Sequence, residues 1–290
     1  MMLQKILAAV DCTQQSETVV TTMCSLNPSA TESVTLLHVV DDRVDGKTMS
    51  ADITARFENH KEKLRRQGFP VNASIVQGVP FDVIVHEAQV SGATLTAIGR
   101  ATSPQWKTRI MGETVLRVLE LCPSPVLTCC NCRTEDRALF SDVLFCSDFS
   151  NEAFHALREL KRLLSEKKVS VGKTTLLHVH EQRNIDMLLK FVTKERIDQV
   201  NAVERERLEE MAQGLREAGI PDVSVRMRTG KPVDEILSDI REHRPTLAIL
   251  GAQGVGNSDM YRIGTTAFRI TQMAECSVLI VPMPRTPLPL

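Results

Sequence analysis

The chain has 290 residues, about twice the usual domain size of roughly 100–150, and this length favours two compact domains. Its 42% hydrophobic and 24% charged residues are typical of a folded globular protein and argue against disorder. Lys and Arg total 35 against 36 Asp and Glu, and the net charge of −1 gives no field to steer nucleic acid or anionic lipid. We therefore expect neither as a partner.

The N-terminal residues from Met1 to Leu7 lead directly into an apolar segment, without the basic region and apolar stretch of a signal peptide. No segment approaches the roughly 18 consecutive apolar residues that span a bilayer, so we expect a soluble cytoplasmic protein. Eight cysteines without a secretory signal indicate reduced thiols. The cluster of Cys122, Cys129, Cys130 and Cys132 lacks a second pair or a histidine partner and favours buried strand thiols over a metal site, but its role stays open.

Five sequence landmarks occur twice in the same order, which indicates an internal duplication. In the first half of the chain they are Lys5–Asp11, Thr35–Val40, Gln77–Pro80, Thr94–Gly99 and Ser124–Leu127. In the second half they are Asp142–Asp148, Thr175–His180, Thr229–Pro232, Thr246–Gly251 and Cys276–Leu279. A polar linker separates the copies, and we place the domains at residues 1–134 and 135–290.

Within each copy, short β-branched runs alternate with amphipathic stretches, the pattern of βαβ units around a parallel sheet. In the second copy the pattern predicts strands near 142–147, 174–180, 222–229, 246–250 and 277–281, and helices near 151–165, 186–218, 232–243 and 265–274. The predicted fold class is α/β, with two tandem, doubly wound, five-stranded parallel sheets of strand order 3-2-1-4-5. The order reverses between strands 1 and 4, so Asp148 and Gly251 should face one ligand crevice.

A glycine motif follows the fourth strand of the second copy: Gly251 and Gly254, then nine residues, then Gly264, Thr265 and Thr266 at the start of a helix. Together with the duplicated framework, this motif resembles the ATP-binding signature of universal stress proteins. The resemblance covers essentially the whole chain. It implies that Asp148 and Val179 lie at the adenine and ribose, that Leu250 and Gly251 lie beside the nucleoside, and that Gly254, Gly264, Thr265 and Thr266 hold the phosphates.

The physical chemistry of the motif agrees with an anion site. Glycines at 251 and 254 let backbone approach a phosphate without a Cβ in the way. The backbone N–H groups of Gly264, Thr265 and Thr266 would lie at a helix N-terminus, which favours negative charge. Each feature alone also fits plain turn chemistry, and Asp148 could cap the following helix.

Two further features of the sequence are read as structural. His38 and His178 occupy matched positions inside strands, which favours core histidines with one hydrogen bond over ligands or bases. The run from Glu204 to Glu210 carries charges of both signs at helical spacing and predicts a solvated helix face. We predict no metal ligands anywhere in the chain.

The corresponding site of the first copy is doubtful. Its candidate residues are Asp11, Val39, Gly99, Gly112 and Thr114. Thr102 replaces a glycine and restores a Cβ. Glu113 replaces a Ser or Thr and puts a carboxylate at the helix N-terminus. Lys107 and Arg109 could partly offset that charge.

The resemblance implies an ATP-binding protein of stress response or signalling, with or without Mg²⁺ and with at most slow hydrolysis. A nucleotide-independent interaction scaffold is the alternative. No nucleophile–base pair marks the crevice, so an enzyme proper ranks third. The apolar last strands, near 126–129 and 278–281, should pair the two domains within the chain, and a homodimer is left open.

Overall fold

A computed structural model describes residues 2–43, 50–100, 112–130, 137–166, 169–181, 194–254 and 263–284. Several predicted features lie outside these ranges: Thr102, Lys107 and Arg109 of the first glycine loop, Cys132, most of the linker before residue 137, and the start of the helix predicted over 186–218.

The first half of the chain is defined here as the part that carries strands β1 to β5. Its strands are β1 (Lys5–Ala9), β2 (Ser33–Asp41), β3 (Val71–Gly78), β4 (Leu95–Gly99) and β5 (Val126–Cys129). Its helices are α1 (Gln14–Cys24), α2 (Ala51–Arg66), α3 (Pro80–Val90) and α4 (Glu113–Leu121). A single 3₁₀ turn, Pro28–Ala30, precedes β2.

The second half carries strands β6 to β10 and repeats this alternation. Its strands are β6 (Asp142–Cys146), β7 (Lys173–Glu181), β8 (Asp222–Gly230), β9 (Leu247–Gly251) and β10 (Ser277–Val281). Its helices are α5 (Asn151–Ser165), α6 (Lys194–Glu217), α7 (Pro232–His243) and α8 (Thr265–Met273). The predicted strands, and three of the four predicted helices, agree with these bounds to within a residue at each end.

The ten strands within the described residues form one sheet of order β3-β2-β1-β4-β5-β10-β9-β6-β7-β8. Within each half the strands are parallel in the order 3-2-1-4-5, which confirms the predicted fold class and topology. The halves meet at β5 and β10, which pair antiparallel with Leu279 opposite Leu127. This confirms the predicted pairing of the last strands, and it leaves neither of them as an open edge.

The sheet has helices on both faces. The core on one face includes residues of α1, α2, α5 and α6, and the core on the other includes residues of α3, α4, α7 and α8. All residues of β6 and β10 are buried, as expected for parallel strands covered on both sides. Among the residues described, no helix is both long and apolar enough to cross a membrane.

Prolines and serines determine where several helices begin. Pro80 and Pro232 occupy the first turns of α3 and α7, as predicted, where a missing N–H removes no helical hydrogen bond. Ser50 and Ser150 are the N-caps of α2 and α5, and each hydroxyl accepts a backbone N–H three residues on.

Arg100 links the two halves through a buried side chain that is 4% exposed. Its Nη2 donates to the carbonyls of Ala274 at 2.6 Å and Cys276 at 3.1 Å, and Nη1 donates to that of Gln272 at 3.2 Å. Ala274 is the C-cap of α8, so the guanidinium of one half satisfies carbonyls at the end of a helix in the other.

The prediction of reduced thiols holds for six cysteines, namely Cys12, Cys24, Cys122, Cys129, Cys146 and Cys276. Burial raises the pKa of Cys12 to about 11 and that of Cys129 to about 12, which keeps these thiols protonated and unreactive at neutral pH. The prediction is wrong for Cys130, which is disulfide-bonded.

Candidate functional site

The candidate site lies where the strand order of the second half reverses. β6 pairs with β7 on one side and with β9 on the other, so the chain leaves β6 and β9 in opposite directions. α5 follows β6 onto one face of the sheet, and α8 follows β9 onto the other. The carboxyl ends of the two strands therefore bound a crevice of the kind that binds ligands in open α/β sheets.

Asp148 lies in a tight turn directly after β6, and its side chain is exposed. Its Oδ1 accepts the backbone N–H of Ser150 at 3.0 Å, and Phe149 between them has a positive φ of 61°. Ser150, not Asp148, is the N-cap of α5, so the alternative reading of Asp148 as the helix cap is wrong. Asp148 instead holds the turn that precedes the helix, and its carboxylate stands at the crevice.

Gly254 meets Asp148 across the crevice. A Cβ built on Gly254 would overlap Oδ2 of Asp148, so a larger residue there would displace the carboxylate from its present position. Two predicted residues from distant parts of the chain are thus brought together by the fold.

Gly251 is required by packing inside the protein. A Cβ there would lie 2.8 Å from Cβ of Glu152 and 3.1 Å from the backbone nitrogen of Ala153, at the start of α5. Leu250 is only 5% exposed and belongs to the core, as do the other residues of β9 before Gly251, because helices cover both faces of the sheet. Its position beside the nucleoside stays a prediction.

The first turn of α8 lies next to the residues that follow β9. Gly264 is the N-cap, and the first helical bond runs from Phe268 N–H to its carbonyl at 2.9 Å. The N–H of Gly264 was predicted to face a phosphate. It instead donates to the carbonyl of Ala252 at 2.7 Å, and so it is not available to a ligand. Thr265 and Thr266 begin the helix, where backbone N–H groups have no intrahelical acceptor.

Val179 lies on β7, next to β6, and is half-buried against the core on the α7 and α8 face. Its neighbour His178 points to the opposite face, and its Nδ1 lies 2.8 Å from the carbonyl of Ser147. In the first half, Nδ1 of His38 lies 2.9 Å from the carbonyl of Val10. Both rings are buried and tie the second strand to the residue before the aspartate, so the predicted burial and backbone hydrogen bond are confirmed for both histidines.

The aspartate turn of the first half has the same form. Oδ1 of Asp11 accepts the N–H of Thr13 at 3.0 Å and its hydroxyl at 2.7 Å. Cys12 has a positive φ of 58°, as Phe149 has in the second half. Val39 is half-buried, and Gly99 ends β4 as Gly251 ends β9.

The helix N-terminus of the first half differs. Gly112 is the N-cap of α4, Glu113 and Thr114 follow, and Oε2 of Glu113 lies 2.9 Å from Nη1 of Arg43. Arg43 also pairs with Asp41 at 3.0 Å, and hydrogen bonds to Asp41 and Glu113 raise its pKa above the ordinary value. A carboxylate with its own cation therefore stands where the second half has Thr265.

A family model described as the universal stress protein family matches residues 2–129 and again residues 140–282. The chain belongs to this family. The double match agrees with the duplicated sheet and confirms the resemblance drawn from the sequence.

Individual relatives within the universal stress protein family are distant. The universal stress protein YxiE of Bacillus subtilis (strain 168) is 24% identical over 150 residues, which is 49% of this chain and 99% of YxiE. A universal stress protein from Archaeoglobus fulgidus DSM 4304 has a TM-score of 0.67 at 20% identity, over 96% of this chain and 98% of that one. A putative universal stress protein from Pseudomonas aeruginosa UCBPP-PA14 has a TM-score of 0.65 at 15% identity, over 97% and 93%. At these identities the solved structures show the shared fold.

A separate open groove of about 950 Å³ lies at the opposite end of the sheet. Its lining includes Leu26, Phe140, Leu164, Gly172 and Pro221, which lie at the ends of helices or in the segments that lead into strands. None of the predicted site residues lines it, so it is distinct from the crevice.

Proposed function

We propose that the second half binds an adenine nucleotide, ATP with or without Mg²⁺, in the crevice between β6 and β9, and that the protein acts in stress response or signalling. Binding is proposed, with hydrolysis at most slow. The first half, with Asp11, Val39, Gly99, Gly112 and Thr114 at the corresponding positions, is proposed to bind no nucleotide.

The close approach of Gly254 to Asp148 carries the proposal. It places a carboxylate at one side of the crevice and a glycine loop that leads to a helix N-terminus at the other. A carboxylate suits the hydroxyl groups of a ribose as a hydrogen-bond acceptor, and the first turn of α8 suits phosphate oxygens. The two chemistries are those that the two ends of a nucleotide require.

The scaffold without nucleotide remains a second candidate because two motif glycines have roles inside the protein. Gly251 makes room for the start of α5, and the N–H of Gly264 is bonded to Ala252. Neither of these two contacts involves a ligand. The two candidates differ in whether the first turn of α8 binds an anion.

Replacing Thr265 by Glu tests this difference directly, since Glu113 shows that the fold accepts a glutamate at the corresponding position. Two like unit charges about 4 Å apart repel by about 4 kcal/mol at an effective dielectric of about 20. We therefore expect Thr265→Glu to weaken ATP binding at least about a hundredfold in calorimetric titrations, with and without Mg²⁺. Thr265→Ser keeps the hydroxyl and should bind as the parent does.

Parent-like affinity of the Thr265→Glu variant would overturn the proposed phosphate position, and a nucleotide-depleted parent that binds no ATP would favour the scaffold. Gly254→Val also predicts a loss of binding but is a less specific test. A valine there would displace the Asp148 carboxylate whether or not the loop contacts phosphate.

A further inference from the structure

Three polar side chains gather on the other face of β7, away from Val179. His178 and His180 are two residues apart on the strand and so share this face, and Glu204 comes from α6, which packs against it. Oε2 of Glu204 lies 3.1 Å from Nδ1 of His180 and 3.9 Å from Nε2 of His178. One ligand atom from each residue falls within 4.8 Å of the others.

The ring of His178 is oriented by the backbone. Its Nδ1 lies 2.8 Å from the carbonyl of Ser147, and a carbonyl can only accept, so Nδ1 carries the proton. In the neutral ring, Nε2, which faces Glu204, therefore holds the lone pair. Metal-binding histidines in proteins are typically oriented in this way, with one ring nitrogen donating to a carbonyl and the other facing the ion.

The cluster is buried and incompletely satisfied. The side chains of His178, His180 and Glu204 are only 9%, 12% and 23% exposed. Nε2 of His180 and Oε2 of Glu204 are buried without a hydrogen-bond partner, and the short contact to Nδ1 lacks hydrogen-bond geometry. A buried polar atom without a partner costs about 1–3 kcal/mol, and a cation bound between the three side chains would satisfy Oε2 of Glu204.

The first half lacks this cluster at the matching positions. His38 corresponds to His178, but Val40 stands where the second half has His180. Glu204 lies 15 residues before Gly219, which follows α6 with positive φ, and Ile53 lies 15 residues before Gly68, which follows α2 in the same way. The fold accepts apolar residues at both positions, so it does not itself require the histidine and the glutamate.

We propose that His178, His180 and Glu204 bind a divalent transition-metal ion of the Zn²⁺ class. Ligand atoms about 2.1 Å from a tetrahedral zinc lie about 3.4 Å apart, and the distances of 3.1 and 3.9 Å bracket that value. Two imidazoles and one carboxylate suit zinc better than Mg²⁺ or Ca²⁺, which prefer oxygen ligands. Three protein ligands leave one coordination position for water or an external ligand.

A zinc titration of the full chain against a competing chromophoric chelator tests the site. We expect one Zn²⁺ per chain at this site, not displaced by excess Mg²⁺. His180→Val and Glu204→Ile introduce the residues found at the matching positions of the first half, Val40 and Ile53. Each change should abolish binding of this Zn²⁺ ion. His86→Val changes an exposed histidine on α3 and should leave zinc binding unchanged.

Two further measurements show whether the variants are folded and which ligands bind the metal. Thermal unfolding without metal should show both cluster variants to be folded, because they remove buried polar atoms that lack partners. Co²⁺ in place of zinc should give absorption bands of nitrogen and oxygen ligation. A parent that binds no zinc, an unchanged equivalent in both cluster variants, or a thiolate-to-cobalt band for the bound ion would overturn the proposal.

Discussion

The two halves have the same backbone fold and differ most clearly at the N-terminus of the helix after the fourth strand. In the first half, Glu113 begins α4 and pairs with Arg43; in the second, Thr265 and Thr266 begin α8. The aspartate turns before α1 and α5 are nevertheless alike, down to the positive φ of Cys12 and Phe149. Main-chain geometry has thus been retained in both copies while the charge at one helix N-terminus has changed.

Each half also has side chains that the other lacks. Arg100 follows β4 and binds carbonyls at the end of α8, whereas Ala252 holds the corresponding position after β9. The second half has His180 and Glu204 where the first has Val40 and Ile53. One copy contributes an interdomain contact, and the other a polar cluster, on equivalent frameworks.

Making the first site like the second should have the largest effect, on the number of nucleotides bound per chain. The double change Thr102→Gly and Glu113→Ser removes a Cβ and a carboxylate from the first site, and it frees Arg43 from Glu113. We expect calorimetric stoichiometry to rise from one ATP per chain to two. The unliganded protein should lose about 0.3–1 kcal/mol, because an acidic residue leaves a helix N-terminus.

Stoichiometry fixed at one, in a double variant with the circular dichroism of the parent, would show that the first crevice is closed by something other than these two residues.

Arg100→Ala should have the next largest effect, on stability. It leaves the carbonyls of Ala274 and Cys276 without their charged donor inside the interface between the halves. Hydrogen bonds to charged groups contribute about 1.5–3 kcal/mol, so we expect the free energy of unfolding in urea to fall by about 3 kcal/mol. Arg66→Ala, at a surface ion pair with a side chain 77% exposed, is the matched control and should change little. Equal effects of the two variants would contradict the assigned role.

The smallest effect is expected for Arg43→Ala. Its partner Glu113 is 60% exposed and Arg43 itself 42% exposed, and water screens such pairs strongly. We expect no resolvable shift in the melting temperature. A clear drop would mean that this pair stabilises the first half.

Much of the fold could be predicted from the sequence because local and repeated patterns agree. The strands of the second half were placed to within a residue, and the pairing of β5 with β10 followed from two apolar runs at the ends of matching copies. Duplication supplied each landmark twice, which makes an accidental pattern improbable.

The predictions that the structure contradicts concern groups whose partners are determined by the path of the backbone. The N–H of Gly264 donates to the carbonyl of Ala252, and Ser150 rather than Asp148 caps α5. The first contact has no residue-type signature, because a backbone carbonyl is the same in every sequence. Serine and aspartate both cap helices, so their residue types do not tell which of the two does so here.

The sequence by itself determined the duplication, the family and the bounds of the strands in the second half, since each depends on periodicity or on glycines at fixed spacing. Only the tertiary structure decided what Glu204 does. Its charged run predicts a solvated helix face, and Arg205, Glu206 and Arg207 are indeed exposed, but Glu204 is turned toward His180. That rotation is set by Leu208, Met211 and Leu215, which bury α6 against the sheet. The packing of the whole helix, and not the residues near Glu204, therefore brings its carboxylate to the two histidines.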